Sequence, residues 1–228
     1  MESKLYIVST PIGNYEDISL RALDILKKAD FIICEEFKES RRLLSHYQIK
    51  KELIPLNEHN EKESSQEIFG KIRDGSSAAL ISDCGTPLFS DPGTLLVQMC
   101  IGAGIEVIPI PGANSLMSAL VGSGFILDKF YYAGWLSPKS DLRKNELLRL
   151  KEIKELIVIM ETPYRLKTIL TEISKVLGPN VYLVIAFDLT LPGEKYFRGK
   201  AGDLLKTVTE KKLKGEFVLV VDNKKQRA

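Results

Sequence analysis

The sequence predicts an α/β protein in two parts, the first built on a largely parallel sheet and the second on a mixed one. Short apolar runs alternate with amphipathic helical stretches from the first residues to about Ile110. Beyond about Val121 the alternation loosens, and the last strands come with a single helix between them. With 228 residues, 44% hydrophobic, and a net charge of +2, the chain can bury a substantial core and lacks the signature of disorder.

Lys4 to Ser9 is a short run with Ile and Val and reads as a buried strand. The loop TPIGN follows, and then a helix from about Asp17 to Lys28 with Ile18, Ala22, Ile25 and Leu26 on one face. Phe31 to Cys34 is the next strand, Ser40 to His46 a helix, and Glu52 to Leu56 another strand. Lys62 to Arg73 is a charged amphipathic helix that ends at Gly75. Ala78 to Ser82, Thr94 to Ala103 and Glu106 to Ile110 continue as strand, helix and strand.

A helix rich in small residues runs from about Asn114 to Val121, and Gly122, Gly124 and Asp128 break the pattern after it. Strands at Phe130 to Trp135, Leu156 to Glu161 and Val181 to Phe187 are separated by helices at about Asp141 to Leu150 and Tyr164 to Val176. Lys195 to Gly199 and Glu216 to Val221 are late strands flanking a helix at about Asp203 to Lys211, an order that favours antiparallel pairs. The division falls at residues 1–112 and 113–228, and the tail KKQRA is expected to fray.

No stretch approaches the ~20 apolar residues of a bilayer span. The start MESKLYIVST lacks the basic lead and longer apolar run of a secretory signal, so a cytoplasmic location is expected. Cys34, Cys84 and Cys100 are odd in number and form no CxxC pair, which argues for reduced thiols. With His46 and His59 the only histidines, a histidine-rich metal site is excluded and no metal is expected.

Ligands of open α/β sheets sit beyond the carboxyl ends of the strands, which singles out the loops TPIGN, SDCGTPLFSDPG and IPIPGANS. In the first, Pro11 and Gly13 make a turn, while Asn14 and Asp17 can cap the next helix. It is no GxGxxG fingerprint, and the same residues suit an ordinary βα turn. In the second, Gly85 and Gly93 permit unusual backbone geometry, and Asp83 can accept from an amine or a hydroxyl. Asp91 there could equally cap the helix beginning near Thr94. In the third, Asn114 or Ser115 opens a helix whose free N–H groups could meet an anion or simply be capped.

The ordered segments LYIVSTPIGNYEDISLRAL, ICEEFKESRRLL, NEHNE, ALISDCGTPLFSDPG, VIPIPGANSLMSAL, YYAGWLSPK, METPYRL and GEFVLVV span nearly the whole chain. Together they resemble the tetrapyrrole methylase superfamily, and within it the bacterial ribosomal RNA small-subunit methyltransferase I family, which methylates a cytidine ribose 2′-hydroxyl. The resemblance implies a two-domain tetrapyrrole-methylase-like fold, usually a homodimer, with S-adenosylmethionine in the cleft between the domains. By position, the cofactor contacts would come from Ile12, Asp83, Cys84, Gly85, Thr86, Pro87, Leu88, Ser115, Leu116, Ile159, Met160, Phe187, Glu216, Phe217 and Val218. Leu136 and Phe187 would wall the purine.

The chain also departs from the family pattern. Cys34-Glu35-Glu36-Phe37-Lys38 stands where the family usually has Ala-Glu-Asp-Thr-Arg. Glu161-Thr162-Pro163-Tyr164-Arg165 stands in place of Glu-Ser-Pro-His-Arg. The chain ends soon after GEFVLVV, where many members continue, which implies a shorter branch. These changes bear on the acceptor more than on the cofactor.

A ribose hydroxyl is a poor nucleophile at neutral pH, and a base beside it would help. Glu36, or its neighbours Glu35 or His59, is the candidate to take the proton, although Glu35 and Glu36 could instead pair with Arg41 or Arg42. RNA phosphates call for cations, and Lys38, Arg41, Arg42, Lys139, Arg143, Lys144 and Arg165, with Asn14, are the candidates for substrate contact. Tyr15, Tyr132 and Trp135 could stack a base or pack in the core. Two other functions stay open: C-methylation of a corrin or siroheme precursor, against which NEHNE and METPYR argue, and non-catalytic binding of S-adenosylmethionine.

Overall fold

The computed structural model describes residues 3–89 and 91–224; apart from Lys224, the tail expected to fray lies outside them. Its contacts divide the chain into two compact units, Met1–Asn114 and Ser115–Ala228.

The first unit strings together β1 (Lys4–Val8), α1 (Leu20–Lys28), β2 (Phe31–Cys34), α2 (Phe37–His46), β3 (Glu52–Pro55), α3 (Glu61–Arg73), β4 (Ala78–Ile81), α4 (Thr94–Gly102) and β5 (Glu106–Ile110). The strands form a five-stranded sheet in the order β3-β2-β4-β1-β5, parallel at every pairing. Both of its faces are buried, which is why the strands read as continuous apolar runs rather than as an alternation. Leu5, Phe31, Ile33, Ala78 and Leu80 pack on one face with Ile68 and Ile72 of α3 and Leu96 and Cys100 of α4. The intervening Val8, Ile32, Cys34, Ala79 and Ile81 pack on the other with Ala22 and Leu26 of α1 and Leu43 and Leu44 of α2.

The first helix begins later than its periodicity predicts. Tyr15–Asp17 forms a 3-10 turn, and Ser19 is the N-cap, its side chain accepting from the Ala22 amide at 3.1 Å. The Ser19 hydroxyl, immediately before Leu20, thus satisfies an orphan N–H of the first turn, while Asp17 belongs to the 3-10 turn before it.

The second unit comprises α5 (Ser115–Ser123), β6 (Phe130–Trp135), α6 (Ser140–Lys151), β7 (Leu156–Glu161), α7 (Leu166–Val176), β8 (Tyr182–Phe187), β9 (Lys195–Lys200), α8 (Ala201–Lys211) and β10 (Phe217–Asp222). Its sheet runs β6-β7-β10-β8-β9. Only β6 and β7 are parallel; β10 lies antiparallel to both β7 and β8, and β9 antiparallel to β8. The core on one face joins Leu147 of α6, Ile169, Leu170 and Ile173 of α7, and Leu204 and Val208 of α8 to the strands. The small-residue helix α5 packs against β8, β9 and β10. A Cβ at Gly122 would collide with the ring of Tyr196, whose hydroxyl donates to the Ser118 carbonyl at 2.9 Å. The small side chains of α5 are therefore a packing requirement of this unit.

One buried side chain ties the end of the chain to the sheet's flank. Asn223, fully buried after β10, donates its amide to the carbonyls of Leu150 and Lys151, at 3.2 and 3.1 Å, and to Ile153 O. These carbonyls lie at and just beyond the end of α6, where the helical ladder runs out, although Leu150 O also accepts from the Ile153 amide at 3.0 Å. Asn223→Ala is expected to lower stability by about 2–3 kcal/mol, because buried carbonyls lose their donor. Urea denaturation of the variant beside wild type measures this.

Candidate active site

Parallel pairing places the carboxyl ends of the first unit's strands on one edge. Val8 of β1 pairs with both Ile81 of β4 and Ile110 of β5, and Ile33 of β2 pairs with Leu80 of β4. The loops that the sequence singled out follow β1, β4 and β5, which are adjacent strands. They therefore emerge side by side and bond to one another. Thr10 and Gly85 form a two-way bridge, with Thr10 N to Gly85 O at 2.8 Å and Gly85 N to Thr10 O at 3.2 Å. The Thr10 hydroxyl donates to Ser82 O at 3.1 Å. Ser9 Oγ lies 3.2 Å from Thr86 Oγ1, which also accepts from Asn114 Nδ2 at 3.2 Å. Gly85 has φ of +81°, and a Cβ there would lie 3.2 Å from Ile12 Cγ2. The loops thus make one hydrogen-bonded rim.

Next to this rim, β2 delivers carboxylates. The Glu36 amide donates to Asp83 Oδ1 at 3.4 Å, tying the end of β2 to the loop after β4. Burial, and then the charges of Asp83, Asp91, Glu36 and Glu58, push the Glu35 carboxyl above its ordinary range. Burial also raises Asp83, and nearby acids add to the shift, while the Glu36 amide opposes it. Asp91 is raised by burial, with a Ser82 hydrogen bond opposing. Among the described residues neither Glu35 nor Glu36 is paired with Arg41 or Arg42: Arg42 faces Glu39 at 3.9 Å, and Arg41 lies 5.2 Å over the ring of Phe37. Proximity of acids and partial burial make the Glu35 carboxylate more basic than an exposed, paired glutamate.

In the second unit, Ile159, Met160, Phe187, Phe217 and Val218 meet at one end of the sheet. Phe217 pairs with Glu161 on one side and with Phe187 on the other, and Val218 pairs with Met160. Trp135 pairs with Met160 as well, so Leu136 leaves β6 at the same end. Glu216 donates its amide to Asp188 Oδ1 at 3.0 Å, and burial followed by the Asp188 charge raises its carboxyl. Ser115 and Leu116 open α5, with Leu116 buried.

Residues 4–205 match the family of Tetrapyrrole (Corrin/Porphyrin) Methylases. The chain belongs to the tetrapyrrole methylase family. It is 41% identical to the ribosomal RNA small subunit methyltransferase I of Haemophilus influenzae, over 96% of this chain and 78% of that protein. It is 37% identical to the protein of that name from Bacillus subtilis, over 96% and 74%. A solved uroporphyrin-III C-methyltransferase of Thermus thermophilus, complexed with S-adenosylhomocysteine, superposes with a TM-score of 0.66 at 17% identity, covering 96% of each chain. This tetrapyrrole methylase is thus an S-adenosylmethionine-dependent methyltransferase with the family's paired α/β units.

Some candidates serve other ends in this methylase. Arg143 is buried, with Nε 2.5 Å from Glu172 Oε2 and Nη1 2.8 Å from Ser137 O. Arg165 holds the fully buried Glu161 carboxylate, Nε to Oε1 at 2.7 Å, and reaches Leu136 O at 3.3 Å. These arginines are therefore corrected from substrate cations to clamps on the turn after β6, because burial without a carboxylate partner would strand their charge. Leu136 and Phe187 belong to the second unit's core, so their side chains are packing groups rather than an open wall. Asp91 does not cap α4. Glu61, the last residue of NEHNE, does so, accepting from Gly93 N at 2.8 Å. His59 stands exposed, 3.6 Å from Glu58, with nothing directing it toward Glu35. Asn14 accepts from the Glu16 amide at 3.0 Å, while Lys38, Arg41, Arg42, Lys139 and Lys144 are exposed. Tyr15 packs against His46 and Tyr47, and Tyr132 donates to Met160 Sδ at 3.2 Å. Among the described residues, no cluster of His, Cys, Asp and Glu could hold a metal ion, and no helix is long and apolar enough to cross a membrane.

Arg165→Ala is expected to cost about 3 kcal/mol in urea denaturation by stranding Glu161, whereas exposed Arg42→Ala should shift stability by less than about 0.5 kcal/mol.

The raised acids set a pH dependence. A carboxyl whose pKa is raised on folding holds its proton more tightly in the folded chain. The stability it lends is present below its unfolded pKa and is lost as pH rises through the folded one. Asp91→Asn carries no charge at any pH, so its melting temperature should gain on wild type as pH rises from ~4 to ~7. Thermal melts across that range test the sign.

Proposed function

We propose that this methyltransferase acts on a ribose 2′-hydroxyl of small-subunit ribosomal RNA, as a homodimer in the cytoplasm. The observation that carries the reading is the bonded rim of small-residue loops with the Glu35–Asp83–Asp91 group beside it. The names and identities of the relatives support RNA as the acceptor over a tetrapyrrole.

The rim suits an S-adenosylmethionine of modest bulk and mixed polarity. Its loops carry hydroxyls at Ser9 and Thr86, and Gly85, at φ +81°, lets the Ile12 side chain pack close against the main chain. Asp83 to Leu88 would hold it. When bound, it supplies a sulfonium methyl that is already electrophilic. What remains for the chain is to orient the acceptor and take its proton.

Glu35 is the base in this reading, in preference to Glu36. Burial and four neighbouring acids raise its pKa, and a carboxylate with a raised pKa accepts a proton more readily. Asp83, anchored by the Glu36 amide, fixes the distance between β2 and the loop.

Glu35→Gln should lower kcat for methyl transfer to small subunits from cells lacking the protein by roughly 10²-fold or more. Its affinity for S-adenosylmethionine in calorimetry should stay at the wild-type value. Wild-type activity should fall as pH drops through the raised Glu35 pKa, and the variant should lose that limb. Full turnover by Glu35→Gln would remove the base role.

A further inference from the structure

Outside the rim, the first unit carries a cleft of about 670 Å³ between α2 and the edge strand β3. Its floor is apolar: Leu44 and Ile49 are core residues, and Leu53 of β3 packs with them. Phe37, 37% exposed, lines it, with the Arg41 guanidinium 5.2 Å from its ring centre. Lys50 and Lys51 line it as well, and the Lys51 ammonium donates to the Ala29 carbonyl at 2.6 Å. The lining includes three cations and no acid.

That combination has a consistent chemistry. The volume lies within the ~300–1,000 Å³ of ordinary small-ligand sites, room for a nucleotide. A phenylalanine and a guanidinium offer stacking faces that any base can use, and the lining cations match the phosphates that flank it. Phe37, which lines the cleft, follows Glu36 directly, so the cleft adjoins the acidic group.

We propose that this cleft is an anchoring site for a single-stranded segment of the substrate RNA, with one base over Phe37 and its flanking phosphates on Arg41 and Lys50. The proposal rests on the RNA reading above and adds a site that the methyl-transfer step does not require. It makes Lys50 and Phe37 determinants of substrate affinity, although neither is an acid–base group or a cofactor contact.

The test uses full-length enzyme and small ribosomal subunits from cells lacking it. The double substitution Arg41→Glu with Lys50→Glu should raise KM for subunits at least tenfold, with kcat within about twofold and S-adenosylmethionine affinity unaltered. The single substitution Lys50→Gln should raise KM by a smaller factor and reduce the salt dependence of binding by about one phosphate contact. A photoreactive side chain at position 45, on the cleft wall, should cross-link to ribosomal RNA. An unchanged KM in the double variant, while wild type methylates normally, overturns the cleft alone. Cross-linking to ribosomal protein without RNA also overturns it, in favour of a peptide partner. Wild-type enzyme that transfers no methyl to the subunits overturns the RNA reading and this role together.

Discussion

Parallel pairing of β4, β1 and β5 is the constraint on which the candidate site depends. Strands that run the same way, in register, end on the same edge. Whatever follows them must then share one small region of space. The loops after these strands are short of bulky side chains, so they approach closely enough to bond backbone to backbone, as Thr10 and Gly85 do. The same register brings β2 alongside, and with it a pair of glutamates that would otherwise be ordinary surface residues. Sheet order, more than any one residue, produces the site's electrostatics.

The second unit solves a different problem with a mixed sheet. Because β10 runs against β7 and β8, its beginning meets their ends, and chain segments far apart in sequence converge at Phe217. Buried ion pairs then hold the neighbouring turn. Arg143 and Arg165 each spend their donors on a carboxylate and on carbonyls of the segment from Leu136 to Pro138. Removal of Arg165 would strand the fully buried Glu161, and removal of Arg143 would unpair the partly buried Glu172, so these positions are committed to structure. The exposed cations of the first unit carry no such commitment.

The cleft beside α2 follows from the same architecture. β3 is an edge strand, and the helix before it covers only part of its flank. An edge that is neither paired nor fully covered leaves a groove, and its lining here is cationic and aromatic. The acidic group at the strand ends and the basic groove thus have opposite polarity within one unit. That separation suits a polyanion whose reacting sugar must approach carboxylates.

The periodicities of the sequence determined the alternation of strands and helices, the parallel first sheet and the mixed second one. The reason is physical: residues buried on both faces of a strand must be apolar, and that requirement is local. The loops were legible for a similar reason, since glycine, proline and small residues after a buried strand are needed wherever backbone must come close. Asp83 and Gly85 could be named from that pattern alone. Only the tertiary structure decided which charges are free. Arg143 and Lys38 look alike in sequence, yet one is buried against Glu172 and the other faces solvent. Likewise Glu61 rather than Asp91 caps α4, and burial with neighbouring acids raises the Glu35 carboxyl. Burial and partnership depend on contacts between residues distant along the chain, and no local pattern encodes them.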